Sequence, residues 1–522
     1  VNFKQNESAE KLRGSYYTPR PLARWLVRWA LGGGARSVLE PGCGDGSFLE
    51  ALGPRAQVTA IELDPLEAAK ARRAHKGVVT GDFFAWLEAN EGVFDAVVGN
   101  PPYIRYQYLE PGPRSLASAL CERAGVPISK LTNAWVPFVL LSVERLAPRG
   151  RLAMVVPAEI MHVHHAEGLR RHLERSARSL TLVHIREMVF SGALQGVVLL
   201  LVEKRASEDE RPCAPSIVEV ESVAALPQGL EPRAEPLRRS GRWMWSLLAE
   251  DEARVLAAAS EHATSFGDLA SVDIGIVTGA NDFFVADKET VDRYRLGRFV
   301  LPMLGRSEHV AGVRYTPGDH AANERAGRRV SFVALEGGTR LTKGLEEYLA
   351  LGEELGLPAR YKCRIREPWW AVPYVWRAPV SLLKRCHSFP RLVLNEANAY
   401  STDTAYRIRP RGEPRDLVGS FLSTLTLLSA ELEGRHYGGG VLELVPSEIE
   451  RLLIAHAPTS ARELAAIDRS VRRGRLPLDR QDARLLGGRL ARDELLLLRG
   501  AWERLRARRL RKPAGPRPRA GP

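Results

Sequence analysis

A short strand, Ser37 to Glu40, runs into Pro41-Gly42-Cys43-Gly44-Asp45-Gly46 and then into a helix from about Ser47 to Leu52. This strand–loop–helix leaves few choices for the first third of the chain. Glycines at alternate positions let the backbone turn sharply and approach a ligand without Cβ clashes. A second strand, Val58 to Glu62, ends in an acid about 20 residues after the loop, the spacing that places a carboxylate on ribose hydroxyls. The order Gly42, Gly44, Gly46 departs from the dinucleotide pattern, and Asp45 inside the loop repels a phosphate. The ligand therefore reads as a nucleoside without phosphate and with a positive centre. Glu40 and Asp45 would face the charged end and Glu62 the ribose; the plainer reading of Glu40 is a strand-end acid capping a loop N–H.

A third strand, Gly77 to Gly81, ends at Asp82-Phe83-Phe84, where Asp82 is also a candidate N-cap. A fourth, Phe94 to Val98, stops at Gly99-Asn100-Pro101-Pro102-Tyr103. Neither Pro101 nor Pro102 has an N–H, and their fixed φ holds the carbonyl directions. Asn100 and the Pro101 carbonyl could both accept from one amino group, with the Tyr103 ring beneath it. The alternative is a strand-ending turn with a surface tyrosine. Upstream, Gly14-Ser15-Tyr16-Tyr17-Thr18-Pro19 precedes a helix with Leu22, Leu26 and Trp29 on one face, and Thr18 is its candidate N-cap.

The order of these parts, Tyr-Thr-Pro, glycine loop, then Asn-Pro-Pro-Tyr, resembles the gamma class of S-adenosylmethionine (SAM) dependent DNA adenine-N6 methyltransferases, the Taq-like type II restriction-modification methylases. The resemblance spans roughly residues 14 to 205. It implies an α/β fold, a class I SAM-dependent methyltransferase with a Rossmann-like seven-stranded sheet, followed by a C-terminal α+β target-recognition region. It implies SAM as cofactor, held by Thr18, Glu40, Gly42, Gly44, Asp45, Glu62, Asp82 and Phe83. The catalytic set becomes Asn100, Pro101, Pro102 and Tyr103, with Tyr103 and Phe190 packing on a flipped-out adenine in double-stranded DNA. The implied role is the modification component of a restriction-modification system, with a separately encoded restriction endonuclease as a possible partner.

Further along, strands at Arg151 to Val156, Leu180 to Arg186 and Gly196 to Val202 suggest the antiparallel end of such a sheet. His162, His164 and His165 lack a carboxylate or cysteine at ligand spacing, so no metal site is expected. The expected domains are an N-terminal extension (1–13), the catalytic domain (14–205), a connector (206–242), a target-recognition domain (243–459) and a helical, Arg-rich segment with a basic tail (460–522). At 522 residues the chain is too long for one core, and its net charge of +13 favours a polyanionic partner. No apolar run reaches the roughly 20 residues a membrane span needs, and the polar N-terminus lacks a signal-peptide core, so a cytoplasmic, nucleoid-associated protein is expected. Two rivals share parts of this pattern: an N-methyltransferase acting on ribosomal RNA or a protein glutamine, and a non-catalytic DNA-recognition subunit.

Overall fold

The computed structural model describes residues 17–32, 34–53, 56–104, 106–129, 132–187, 189–190, 196–237, 240–437 and 440–510. The N-terminal extension, Gly14 to Tyr16, Arg105, Met188, Ser191, Gly192 and the basic tail from Arg511 lie outside them. Two compact units divide at Ala249/Glu250.

The first unit opens with α1 (Arg20–Leu31), which buries Leu22, Trp25, Leu26 and Trp29 at helical spacing. Its N-cap is Pro19 and carries no side-chain cap bond. Thr18 therefore does not cap the helix as expected; it sits one residue earlier, buried. Then follow β1 (Ser37–Glu40), α2 (Ser47–Leu52), β2 (Gln57–Glu62), α3 (Pro65–Ala74), β3 (Val78–Thr80), α4 (Phe83–Ala89) and β4 (Phe94–Gly99). After these come α5 (Pro111–Arg123), α6 (Trp135–Glu144), β5 (Leu146–Pro157), α7 (Glu167–Ser176), β6 (Ala177–Ile185), β7 (Val197–Lys204) and β8 (Ser216–Val220).

The sheet runs β3-β2-β1-β4-β5-β7-β6-β8. β7 is antiparallel to both β5 and β6, and the other pairings are parallel. Its first seven strands have the class I SAM-dependent methyltransferase order. The eighth, Ser216–Val220, comes from the segment expected to be a connector; it pairs with β6 from Thr181↔Ser216 to Ile185↔Val220. The central strands read as continuous apolar runs because helices cover both faces. Asp95, the half-buried polar residue of β4, fastens the start of β1 by accepting from Ser37 N (2.9 Å), Ser37 Oγ (3.1 Å) and Arg36 N (2.9 Å).

Trp243, expected to open the target-recognition region, instead packs with the first unit. Its indole N–H donates to the fully buried Glu174 at 2.9 Å, and Gly241 N donates to the same carboxylate.

The second unit contains α8 (Glu250–Glu261) and a five-stranded sheet built on β9 (Ala270–Ile274), with α9 (Lys343–Glu354), β10 (Val380–Leu383), β11 (Leu392–Asn395) and β12 (Ala405–Pro410). The order is β9-β12-β10-β11 with Arg314–Tyr315 at the edge. Buried helices α10 (Pro414–Phe421) and α11 (Thr424–Glu433) follow, then α12 (Ala461–Arg472), α13 (Leu478–Leu485) and α14 (Arg492–Leu510). These last three helices, expected as a segment apart, belong to the same compact unit.

Candidate active site

The strand order changes direction between β1 and β4, and a doubly wound sheet opens a crevice at the carboxyl ends of such strands. The loops that follow β1, β2, β3 and β4 meet there around one cavity of about 670 Å³. It is lined by Thr18, Glu40, Gly42, Gly44, Asp45, Glu62, Asp82, Phe83, Asn100 and Pro102, all anticipated from sequence.

The loop geometry explains the glycines. Gly44 and Gly46 have φ of +51° and +93°, which L side chains rarely adopt, and a Cβ on Gly46 would lie 3.0 Å from Ala71 Cα. Glu62 braces the loop, accepting from Gly44 N at 2.9 Å and from Asp64 N at 2.8 Å. Asp45 accepts from Ser47 Oγ at 2.7 Å and Ser47 N at 3.2 Å, fixing the turn into α2. Asp82 is the N-cap of α4, its Oδ1 accepting from Ala85 N at 2.9 Å, and it lines the cavity as well.

Charge is what distinguishes the cavity. Seven carboxylates (Glu40, Asp45, Glu62, Asp64, Glu67, Asp82 and Glu110) and no Lys or Arg line it among the described residues, although the chain is net positive. A phosphate would be repelled; a cation would be attracted. Glu40 is 0% exposed and neither of its oxygens has a hydrogen-bond partner among the described residues. It therefore does not cap a loop N–H. Burial, then the charges of Glu62 and Asp45, hold its carboxyl well above the usual range. Burial likewise raises Glu62. An unpartnered buried carboxyl facing a cavity is what a positively charged ligand offsets. SAM, a nucleoside with a sulfonium and an ammonium group and no phosphate, fits this set.

Asn100 leaves the end of β4. Its Oδ1 accepts from the Tyr103 hydroxyl at 2.7 Å, and the same hydroxyl lies 3.1 Å from the Val155 carbonyl on β5. Pro101 is buried beside them. Tyr103 and Phe190 are not among the cavity walls: Tyr103 is half-buried against the main hydrophobic cluster, and Phe190, 6% exposed, belongs to it. Sequence reasoning missed Phe138 on α6, which lines the cavity and stacks on Phe83 with ring centroids 5.0 Å apart. Its helix is apolar on every side, so nothing marks Phe138 out. Tyr17, Leu63 and Tyr108 are also walls; for Leu63 the available signal was its position directly after the Glu62 strand end.

The model of the Eco57I restriction-modification methylase matches residues 57–190, and that of the C-terminal domain of type II methyltransferase M.Eco57I matches residues 240–486. The chain is 27% identical over 461 residues to the type II methyltransferase M.XamI of Xanthomonas campestris pv. amaranthicola, covering 84% of this chain and 85% of that one. It is 21% identical to M.AccI of Acinetobacter calcoaceticus, covering 84% of each. Against M.TthHB8I of Thermus thermophilus it is 33% identical over 201 residues, 37% of this chain and 45% of the relative. With both halves matched in order and most of the length of two relatives covered, the chain belongs to the Eco57I family of type II restriction-modification methyltransferases.

Proposed function

We propose that this chain transfers a methyl group from SAM to the N6 amino group of adenine in duplex DNA, as the modification component of a restriction-modification system. The observation that carries the reading is the acidic, phosphate-excluding cavity with Asn100 at its edge. Thr18, Glu40, Asp45, Glu62, Asp82 and Phe83 would hold SAM, which supplies an electrophilic methyl group.

The residues of the β4 loop handle the amine. Its lone pair is delocalised into the purine ring, and positive charge grows on nitrogen as the new bond forms. Asn100 Oδ1 and the Pro101 carbonyl accept its two hydrogens, pull the nitrogen toward tetrahedral geometry and stabilise that charge. An amide oxygen has two lone pairs, so the hydrogen bond from Tyr103 does not exclude a second donor. Tyr103 thereby positions Asn100, and positioning and electrostatics carry the rate. A base stacked in a duplex cannot reach this loop, so the target must be flipped out, with Tyr103 and Phe190 as its proposed packing partners. Adenine is favoured over cytosine by the Asn that opens the motif. A separate endonuclease as partner and a cytoplasmic location belong to the same reading; among the described residues no helix is long and apolar enough to cross a membrane.

The test is transfer of labelled methyl from SAM to unmethylated duplex DNA, with the product nucleoside identified. Label in N6-methyladenine is expected, falling by more than a hundredfold in Asn100→Ala while SAM binding persists. Label in RNA or protein and none in DNA would overturn the substrate assignment.

A further inference from the structure

The second unit carries an exposed turn rich in cations. Residues 360–366 read Arg-Tyr-Lys-Cys-Arg-Ile-Arg, four cations in seven positions. Arg360, Lys362 and Arg364 form no ion pair among the described residues. This contrasts with the many arginines of the chain that pair with carboxylates, Arg314 with Glu396 and Arg472 with Asp319 and Asp468 among them. Tyr361 and Ile365, one helical turn apart, are 64% and 61% exposed, and the Lys362 ammonium lies 5.4 Å from the Tyr361 ring centroid. Like charges crowded beside exposed apolar groups cost stability unless a partner covers them.

The base of this turn is tied to the unit by packing and hydrogen bonds. Cys363 is fully buried in the core of the unit. Arg366 donates to the Thr278 carbonyl at 2.8 Å and the Val277 carbonyl at 2.7 Å. Gly279, at φ +82°, sits so close that a Cβ there would lie 2.7 Å from Lys362 Cβ. The chain thus uses a glycine and a guanidinium to press the turn against residues 277–279 and hold its cations outward. Val277, partly exposed, extends the apolar strip.

We propose that the 360–366 turn is a duplex-DNA contact, with Arg360, Lys362 and Arg364 on phosphates and Tyr361 and Ile365 against the sugars and base edges of a groove. The assignment rests on the DNA-methyltransferase reading above. Unpaired cations supply salt-dependent attraction to the backbone, and an exposed ring with an aliphatic neighbour supplies an attraction that does not depend on salt.

The test uses the full chain and a linear duplex fragment of a few hundred base pairs, with affinity measured across a potassium chloride series. In the double variant Lys362→Ala/Arg364→Ala, the slope of log affinity against log salt should shrink by about 1.8, near 0.9 for each phosphate that is no longer neutralised. Tyr361→Ala should bind about fivefold more weakly with its slope unchanged. All these side chains are exposed, and unchanged SAM binding and thermal unfolding would verify that the variants fold. Wild-type slope and affinity in both variants would overturn this surface while leaving the methyl-transfer reading intact. A wild-type chain that binds no duplex DNA would overturn both, and equal weakening on double-stranded RNA of the same sequence would overturn the DNA assignment.

Discussion

Glu40 is a buried carboxyl whose cost to the fold depends on pH. Its carboxyl is buried, unpartnered and raised well above the usual range, so in the ligand-free protein it favours the neutral form. A raised folded value means that the native state binds the proton more tightly than the unfolded chain does. The resulting stability is fully present below the ordinary glutamate range and is lost as pH rises through the folded value. Glu40→Gln keeps the shape and removes the titration. Its unfolding free energy should gain on that of wild type as pH rises, as chemical denaturation at several pH values would show. Calorimetry should show the same variant losing SAM affinity, because the cationic end has lost its counter-charge. Tyr103 offers a second residue-scale prediction. Tyr103→Phe keeps the ring and removes the donor to Asn100 and Val155; kcat should fall about fivefold with KM for DNA little changed, measured in steady-state transfer assays.

Among the elements, those of the first unit were the more legible. β1 and β2 end in an acid and β4 in a glycine, and β3 is followed directly by Gly81 and Asp82, so motif and boundary nearly coincide. The N-cap of α1 was misplaced by one residue because Thr18 carries the side-chain signal of a cap, and only backbone geometry shows that the helix starts after Pro19. β8 lies in the segment expected as a connector, since pairing with β6 is a long-range choice that a five-residue run does not encode. In the second unit the apolar runs of α10 and α11 could be read as strand or helix, and few motifs arbitrate. The last helix, α14, is anchored by an ion pair invisible in sequence: Arg509 and Glu431, both buried, bond at 2.7 and 2.9 Å. Breaking a buried pair leaves an uncompensated charge. Arg509→Ala should cost about 3–5 kcal/mol of stability, read as an earlier denaturation midpoint, with SAM binding by the first unit preserved.

At the scale of the whole molecule, a net positive charge coexists with an acidic cavity. Among the described residues, seven carboxylates line the crevice of the first unit, and unpaired cations lie on a turn of the second. The cofactor loop follows β1 and the Asn100 loop follows β4, and these strands are hydrogen-bonded neighbours. Adjacent strands stand about 4.8 Å apart, a spacing fixed by backbone bonds rather than by side chains. The reacting loops are therefore ruled by a lattice constant of the sheet. A substitution in the second unit leaves the spacing of these two strand ends as it is, because that spacing is set within the first unit's own sheet.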